Sequence, residues 1–407
     1  MNTKMILSML TNKTIWRTFY GLHQRFRQSP DYRLRYLVRC SANVLAHDPI
    51  VRHEGHYLVN TFLPPLDTPA FAQAAFQVPG EGAAFYRAHI TGERCAPIST
   101  YVAVTDQCRY HCWHCSAAGR MQSGEVYSTA QLIQALADLQ RLGVGIIGLT
   151  GGEPLLRDDL ETVLRTVDER SVTYLFTSGY SLTLKRARAL KEAGLFGLAV
   201  SVDAMTPETH DGLRGYPGAW EQAMQAIRCS KEAGLYTMVQ TVGRADLIGS
   251  GEIYELAHHL QRMGVDELRI TEPTPAGRLA EHSEELLTDS QRHRLRQIHA
   301  QFNRDRKHYP KTAVFPYIEA PFQYGCGAGV QHSYLDCAGN FGPCDFLPET
   351  YGNIFEEDIT VIWERMHQAM LPPKRACLAR CPHQAEALPD YYRLMAGEKC
   401  PAAKGAL

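Results

Sequence analysis

Six short runs of β-branched and other apolar residues, at 99–105, 145–150, 173–177, 197–203, 236–242 and 266–271, mark the middle of this chain, and each precedes a longer segment with helical spacing. In the first such segment Leu132, Ile133, Leu136, Leu139 and Leu142 share one face, and Gly143 ends it. Asp158 and Glu161 have the spacing of a capping box that opens the second helix. Further helices are expected at 183–193, 219–233, 251–263 and 288–303, with Gly194, Gly234 and Gly264 standing where left-handed caps occur. Six β–α units joined by short links predict a parallel sheet, either open or curled into a partial barrel. In such folds the site lies at the carboxyl ends of the strands.

At 407 residues the chain is too long for one small domain. The alternating pattern occupies 98–310, leaving an N-terminal extension at 1–97 and a C-terminal segment at 311–407. With 45% hydrophobic and 21% charged residues the composition is globular. A net charge of −1 gives no chain-wide reason to expect nucleic acid as a partner. No apolar run approaches the ~18 residues of a spanning helix. The short apolar stretch at 5–10 lacks a small-residue cleavage site after it, so a secretory signal is not expected. Twelve cysteines without an export signal suit a reducing compartment, where thiols serve metals or chemistry. The expectation is a cytoplasmic metalloprotein.

The first 40 residues are basic, with Lys4, Lys13, Arg17, Arg25, Arg27, Arg33, Arg35 and Arg39 against Asp31 alone. Ile15, Trp16, Phe19, Tyr20, Leu22 and Phe26 recur there at roughly helical spacing. A helix docked on the main domain with its charges in water accounts for this. Peripheral contact with the inner face of a membrane through residues 1–40 is the less favoured alternative.

Immediately after the first strand comes Cys108-Arg-Tyr-His-Cys112-Trp-His-Cys115. Three thiolates spaced in this way can converge on one face of a small loop, leaving the fourth iron of a cubane open to an outside ligand. Zinc is the rival, with His111 or His114 as a fourth ligand. After the second strand comes Gly151-Gly152-Glu153-Pro154, where glycines admit a ligand to the backbone and a carboxylate can accept from an ammonium group.

Placed in this order on alternating β–α units, these motifs make residues 98–305 resemble the radical S-adenosylmethionine (SAM) superfamily. The resemblance implies a partial (β/α)6 TIM-like barrel in which Cys108, Cys112 and Cys115 bind a [4Fe–4S] cluster and SAM chelates its open iron. It implies SAM contacts from Gly151, Gly152 and Glu153 to the amino group, from Ser178 in a Thr-Ser-Gly turn, and from Ser201 and Asp203 to the ribose. It also implies Arg214 near the SAM carboxylate, and a low-potential electron donor of flavodoxin or ferredoxin type. Val239 and Gln240 match the adenine-lining strand only loosely, and Pro275-Ala276-Gly277-Arg278 resembles the turn after the sixth strand.

The C-terminal segment has one convincing helix, at 358–370, and six cysteines, at 326, 337, 344, 377, 381 and 400. So few large apolar residues would struggle to hold it without a metal cross-link. Cys326, Gly339 and Cys344 in C-x12-G-x4-C, followed by Asp345, resemble the SPASM or twitch extension of radical SAM enzymes. That implies an auxiliary [4Fe–4S] cluster on Cys326 and Cys344 with two of Cys377, Cys381 and Cys400. Structural zinc at Cys377, Cys381, His383 and Cys400 is the alternative. Sulfatase-maturing members carry an aspartate after the equivalent cysteine as a proton acceptor, which makes Asp345 the candidate catalytic base, with a turn-capping role as the plain alternative. The favoured function is radical side-chain modification of a peptide or protein; radical modification of a lipid or lipid-linked substrate at the membrane face is the alternative, and non-catalytic iron–sulfur electron transfer, against which Glu153, Asp203 and Arg214 argue, is a further one. Against the first, residues 1–95 do not read as the small β-hairpin and helices with which many members capture a leader peptide.

Overall fold

The apolar stripe after the first strand folds as expected: Leu132, Leu136, Leu139 and Leu142 are buried on the helix Thr129–Leu142, which opens with a Ser128–Gln131 capping box and closes at left-handed Gly143. The computed structural model describes residues 8–9, 11–35, 38, 48–119, 126–320 and 323–380. Cys381, Cys400, Cys40 and His383 lie outside them.

All six expected strands form. They are β3 (Ser99–Ala103), β4 (Ile146–Thr150), β5 (Val172–Thr177), β6 (Gly197–Ser201), β7 (Tyr236–Val242) and β8 (Glu267–Thr271), neighbours in that order and parallel throughout. Each is followed by at least one helix, giving a mixed α/β partial barrel with a cysteine-rich C-terminal region. The helices Leu184–Glu192, Ala219–Glu232 and Glu252–Arg262 end before Gly194, Gly234 and Gly264, all at positive φ. The second helix differs from expectation. It spans only Leu160–Leu164, and Asp158 does not cap it. Its N-cap, Asp159, makes no capping bond, because that carboxylate accepts instead from Arg157 and from the Thr129 hydroxyl at 2.6 Å.

The C-terminal segment completes both edges of the sheet. β9 (Lys311–Val314) pairs parallel with β8, whereas β10 (His332–Leu335) pairs parallel with β3 at the opposite end. β11 (Asn340–Gly342) and β12 (Gly352–Asn353) extend that end antiparallel. The helix Ile359–Met370 buries Ile362, Trp363 and Met366, and the Trp363 indole donates to the Arg94 carbonyl.

The N-terminal extension contains a hairpin that the sequence reading did not find. β1 (Val51–His53) and β2 (His56–Leu58) pair antiparallel across Glu54 and Gly55, both at positive φ. Leu58 packs with Ile146, Val172, Tyr174, Ala199 and Tyr236 at the N-terminal ends of the strands. The helix Lys13–Phe26 is docked, with Ile15, Leu22 and Phe26 buried, while Trp16 and Tyr20 are more than half exposed. No helix among the described residues is long and apolar enough to cross a membrane. Within the barrel, a Cβ at Gly148 would stand 2.5 Å from the Tyr101 ring and 2.9 Å from that of Phe176. Glycine on β4 is what lets those rings fill the interior.

Candidate active site

The loop carrying Cys108, Cys112 and Cys115 leaves β3 at the carboxyl end of the sheet and is stitched down on three sides. Gly152 and Glu153 donate their amides to the carbonyls of Thr105 and Gln107, both at 2.7 Å. His111 and Trp113 donate to the carbonyls of Arg214 and Leu213, and Arg278 donates to that of Cys115. The glycines are required by this stitching. A Cβ at Gly152 would lie 2.1 Å from the Gln107 carbonyl oxygen, and one at Gly277 2.1 Å from that of Cys115. Gly151, at φ +130°, has the same relation to Thr105. All three glycines are needed for this close approach of backbone to backbone.

Glu153 is buried at the end of β4. Its Oε1 accepts from the Leu155 amide at 3.1 Å and from the Thr177 hydroxyl, and its Oε2 from the Ser178 amide at 2.8 Å and the Ser178 hydroxyl. Burial raises its pKa, and these donors pull it back only in part. Ser178 therefore acts on Glu153 itself.

Asp203 and Arg214 are brought together. Their side chains are buried and 2.7 Å apart, and the second Asp203 oxygen accepts from the Val242 amide at 3.0 Å. Burial alone would raise the Asp203 carboxyl, but Arg214, His114 and His210 hold it below the ordinary carboxylate range. Arg214 also reaches Cys112 Sγ at 3.7 Å, and its Nε has no hydrogen-bond partner. His210 Nδ1 accepts from the Asp203 amide, so the ring is neutral there, and burial brings its pKa down to about 4. His114 is also pushed down to about 4 by burial, and its Nδ1 faces Asp203 at 4.0 Å rather than the cysteines. Ser201 is half-buried at the end of β6.

Burial raises the Cys108 thiol to about 12, a penalty that a metal removes by taking the thiolate. Ligand atoms around one tetrahedral zinc stand about 3.8 Å apart. Among the described residues, a trio of His, Cys, Asp or Glu ligand atoms within 4.8 Å of one another occurs only at His332, Cys344 and Asp345. The Cys108, Cys112 and Cys115 sulfurs thus stand wider than a single ion requires, and the unpartnered Arg214 Nε lies in the same neighbourhood. These residues fit a cluster with a polar ligand beside it better than they fit zinc.

A second sulfur-bearing region faces the barrel interior. Cys326, Cys344 and Cys377, from three separate segments, line one cavity, open at its mouth, together with Asp345, Gln240 and Thr271. Cys326 and Cys377 share a hydrogen bond that lowers the first thiol and raises the second. Asp345 lies 3.6 Å from His332 Nε2 and accepts from Cys344 Sγ at 3.4 Å. Burial works to raise its carboxyl, and His332 more than offsets this, so it stays ionised below the usual range. Cys337 is elsewhere, in the apolar core near Tyr127. Gln240 lines the cavity, whereas Val239 faces the core.

The fold defines a parallel α/β-barrel enzyme with a cysteine-bearing loop at the carboxyl ends of its strands. Residues 102–247 match the model of the radical SAM superfamily, so the chain carries a radical SAM domain, the domain of enzymes that use a [4Fe–4S] cluster and SAM. Its curated relatives include an AdoMet-dependent heme synthase of Oleidesulfovibrio alaskensis, 26% identical over 64% of this chain and 73% of that protein. They also include a PqqA peptide cyclase of Rhizobium meliloti, 26% identical over 66% and 73%. Among solved structures, Streptococcus suis SuiB bound to S-adenosylmethionine aligns with a TM-score of 0.58 at 16% identity, over 74% of this chain and 72% of that one. Native anSMEcpe with bound AdoMet aligns at 0.57 and 15%, over 74% and 96%. At such identities these two likenesses speak for the fold.

Proposed function

We propose that this enzyme removes a hydrogen atom from a peptide or protein side chain, with an auxiliary cluster beside the reacting carbon. Bound together, the first cluster and SAM supply a 5′-deoxyadenosyl radical that takes hydrogen from an unactivated C–H bond. Cys108, Cys112 and Cys115 would hold that cluster on the stitched loop. Glu153 and Ser178 would receive the SAM ammonium, with the Ser178 hydroxyl turning away to free one carboxylate lone pair. Arg214 would meet the SAM carboxylate through its unpartnered Nε while keeping Asp203, and Ser201 and Asp203 would approach the ribose side. Cys326, Cys344 and Cys377, with a further ligand such as Cys381 or Cys400, would hold the auxiliary cluster. Asp345, ionised in the same cavity, would accept the substrate proton.

The observation that carries this reading is the single cavity that joins Gln240 and Thr271, near the ends of β7 and β8, to Cys326, Cys344, Cys377 and Asp345. A substrate held there would lie at the carboxyl end of the barrel strands, beside the C-terminal thiols and Asp345. The names of relatives such as PqqA peptide cyclase and the peptide-bound SuiB structure support a peptide. The test is an anaerobic assay with reduced, reconstituted protein and deuterated candidate peptides. Deuterium is expected in 5′-deoxyadenosine for a true substrate. No 5′-deoxyadenosine under any condition would leave only iron–sulfur electron transfer.

A second reading, a lipid-linked substrate, is favoured by exposed Trp16 and Tyr20 beside Lys13 and Arg17. Co-sedimentation with anionic liposomes that Trp16→Ala and Tyr20→Ala weaken would support it, and absence of binding would remove its basis.

A further inference from the structure

Arg269 stands on β8 inside the barrel, beside Gln240 in the register of β7 and two residues before the end of its strand. It is only 1% exposed. One Nη donates to the Tyr101 hydroxyl at 3.0 Å, and Nε has no partner. Three phenyl rings surround the guanidinium: Phe62 at 4.9 Å, Phe176 at 5.1 Å and Phe315 at 5.5 Å from centroid to Cζ. No carboxylate among the described residues comes within 4.0 Å of it. The nearest acid along its strand, Glu267, is engaged by the Thr61 hydroxyl at 2.7 Å and the Tyr236 hydroxyl at 3.0 Å. Asp345 faces His332, and Glu319 is paired with Arg380.

Arginine is always charged, and a guanidinium out of water ordinarily carries a carboxylate partner, because burying the charge alone is costly. Ring faces recover part of that cost but leave the in-plane N–H donors unspent. Here the unspent donor belongs to a residue that also lines the cavity read above as the substrate chamber, in company with Phe62, Phe315 and Tyr101. Apolar walls with one convergent polar anchor are how a small-molecule site fixes orientation.

We infer that Arg269 is the anchor for a substrate carboxylate. The site takes a carboxylate borne on an apolar or aryl chain, whose oxygen accepts from Nε while its body lies against Phe62 and Phe315. Gln240, adjacent in register, supplies an amide to the same group. The inference deepens the proposed function and rests on that cavity being the substrate chamber. The carboxylate has two sources, an acidic peptide side chain or a free organic acid.

The test is isothermal titration of the anaerobic, cluster-loaded full chain with 3-phenylpropionate and with its neutral isostere 3-phenylpropanamide. The carboxylate is expected to bind at least tenfold more tightly. That preference should fall below twofold in Arg269→Gln and survive in part in Arg269→Lys, each compared at equal iron content and iron–sulfur absorbance. Equal binding of the two probes by the unaltered protein overturns the inference without any variant. So does an undiminished preference in a cluster-loaded Arg269→Gln. Short peptides differing only as Glu or Gln separate the sources. A Glu preference that Arg269→Gln removes points to a peptide, and peptides bound without preference while phenylpropionate retains its advantage point to a free acid. If the probes bind alike while 5′-deoxyadenosine is still formed, the anchor falls and the radical enzyme stands. If binding is selective but no 5′-deoxyadenosine forms, the reverse holds.

Discussion

The two sulfur-bearing regions are built on opposite plans. Cys108, Cys112 and Cys115 lie within eight consecutive residues, on a loop bonded by backbone amides to three neighbouring segments. Cys326, Cys344 and Cys377 come from three distant segments, tied by backbone bonds from the Cys326 amide to the Lys374 carbonyl at 2.9 Å and from the Gly329 amide to the Pro343 carbonyl at 3.1 Å. The first region is shaped by the barrel before any metal arrives. The second is held to the barrel by β10 and by buried Ile362, Trp363 and Met366, and a metal taken by its thiols would add folding energy there. A preformed site favours precise placement of a cofactor, while a site completed by its cluster can vary around a common barrel.

This contrast is broken or sharpened most strongly by removing one thiol from each region. Cys112→Ala should bring 5′-deoxyadenosine formation down to background while changing folding stability by less than about 1 kcal/mol. Cys344→Ala should do the opposite in kind, lowering the melting temperature and exposing 323–380 to limited proteolysis. Equal loss of stability in the two variants would erase the distinction. A pH titration comes next. His210 backs the first region as a neutral acceptor, with a pKa lowered from 6.5 to about 4. The unfolded chain binds that proton first, so the stability is present above pH 6.5 and is lost as pH falls toward 4. It amounts to about 3 kcal/mol. His210→Asn keeps an acceptor near the Nδ1 position without the titration, and denaturant midpoints should show a flatter acid limb by about one proton. The smallest expected effect is in the second region. Asp345→Asn should lower product formed per 5′-deoxyadenosine by roughly 10²-fold, the ordinary worth of a positioned base. An unchanged ratio would leave Asp345 as a local partner of His332.

The six central strands were legible because each is a short β-branched or apolar run set between helical segments of clear period, and the cysteine loop and Gly151-Gly152-Glu153 were legible from their places at strand ends. Other features were hidden for physical reasons. β9 and β10 are four-residue strands in a region rich in glycine and proline, and their pairing with β8 and β3 is a matter of distant closure. The hairpin at 51–58 is also short, although His53-Glu54-Gly55-His56 carried a turn signal that could have marked it. The Asp203–Arg214 pair joins residues eleven apart through the fold. Arg269 looked like any charged residue near a strand end, since nothing local foretells three rings arriving from separate elements.

Because β9 closes one side of the sheet and β10 the other, the residues between 314 and 332 must pass across the whole width of the barrel, carrying Cys326 with them. The barrel is therefore not a module that can be excised. A fragment ending near 305 would bare the flanks of β3 and β8 at once, offering two sticky seams for self-association. For the same reason, any evolutionary replacement of the C-terminal region has to supply new edge strands along with new thiols.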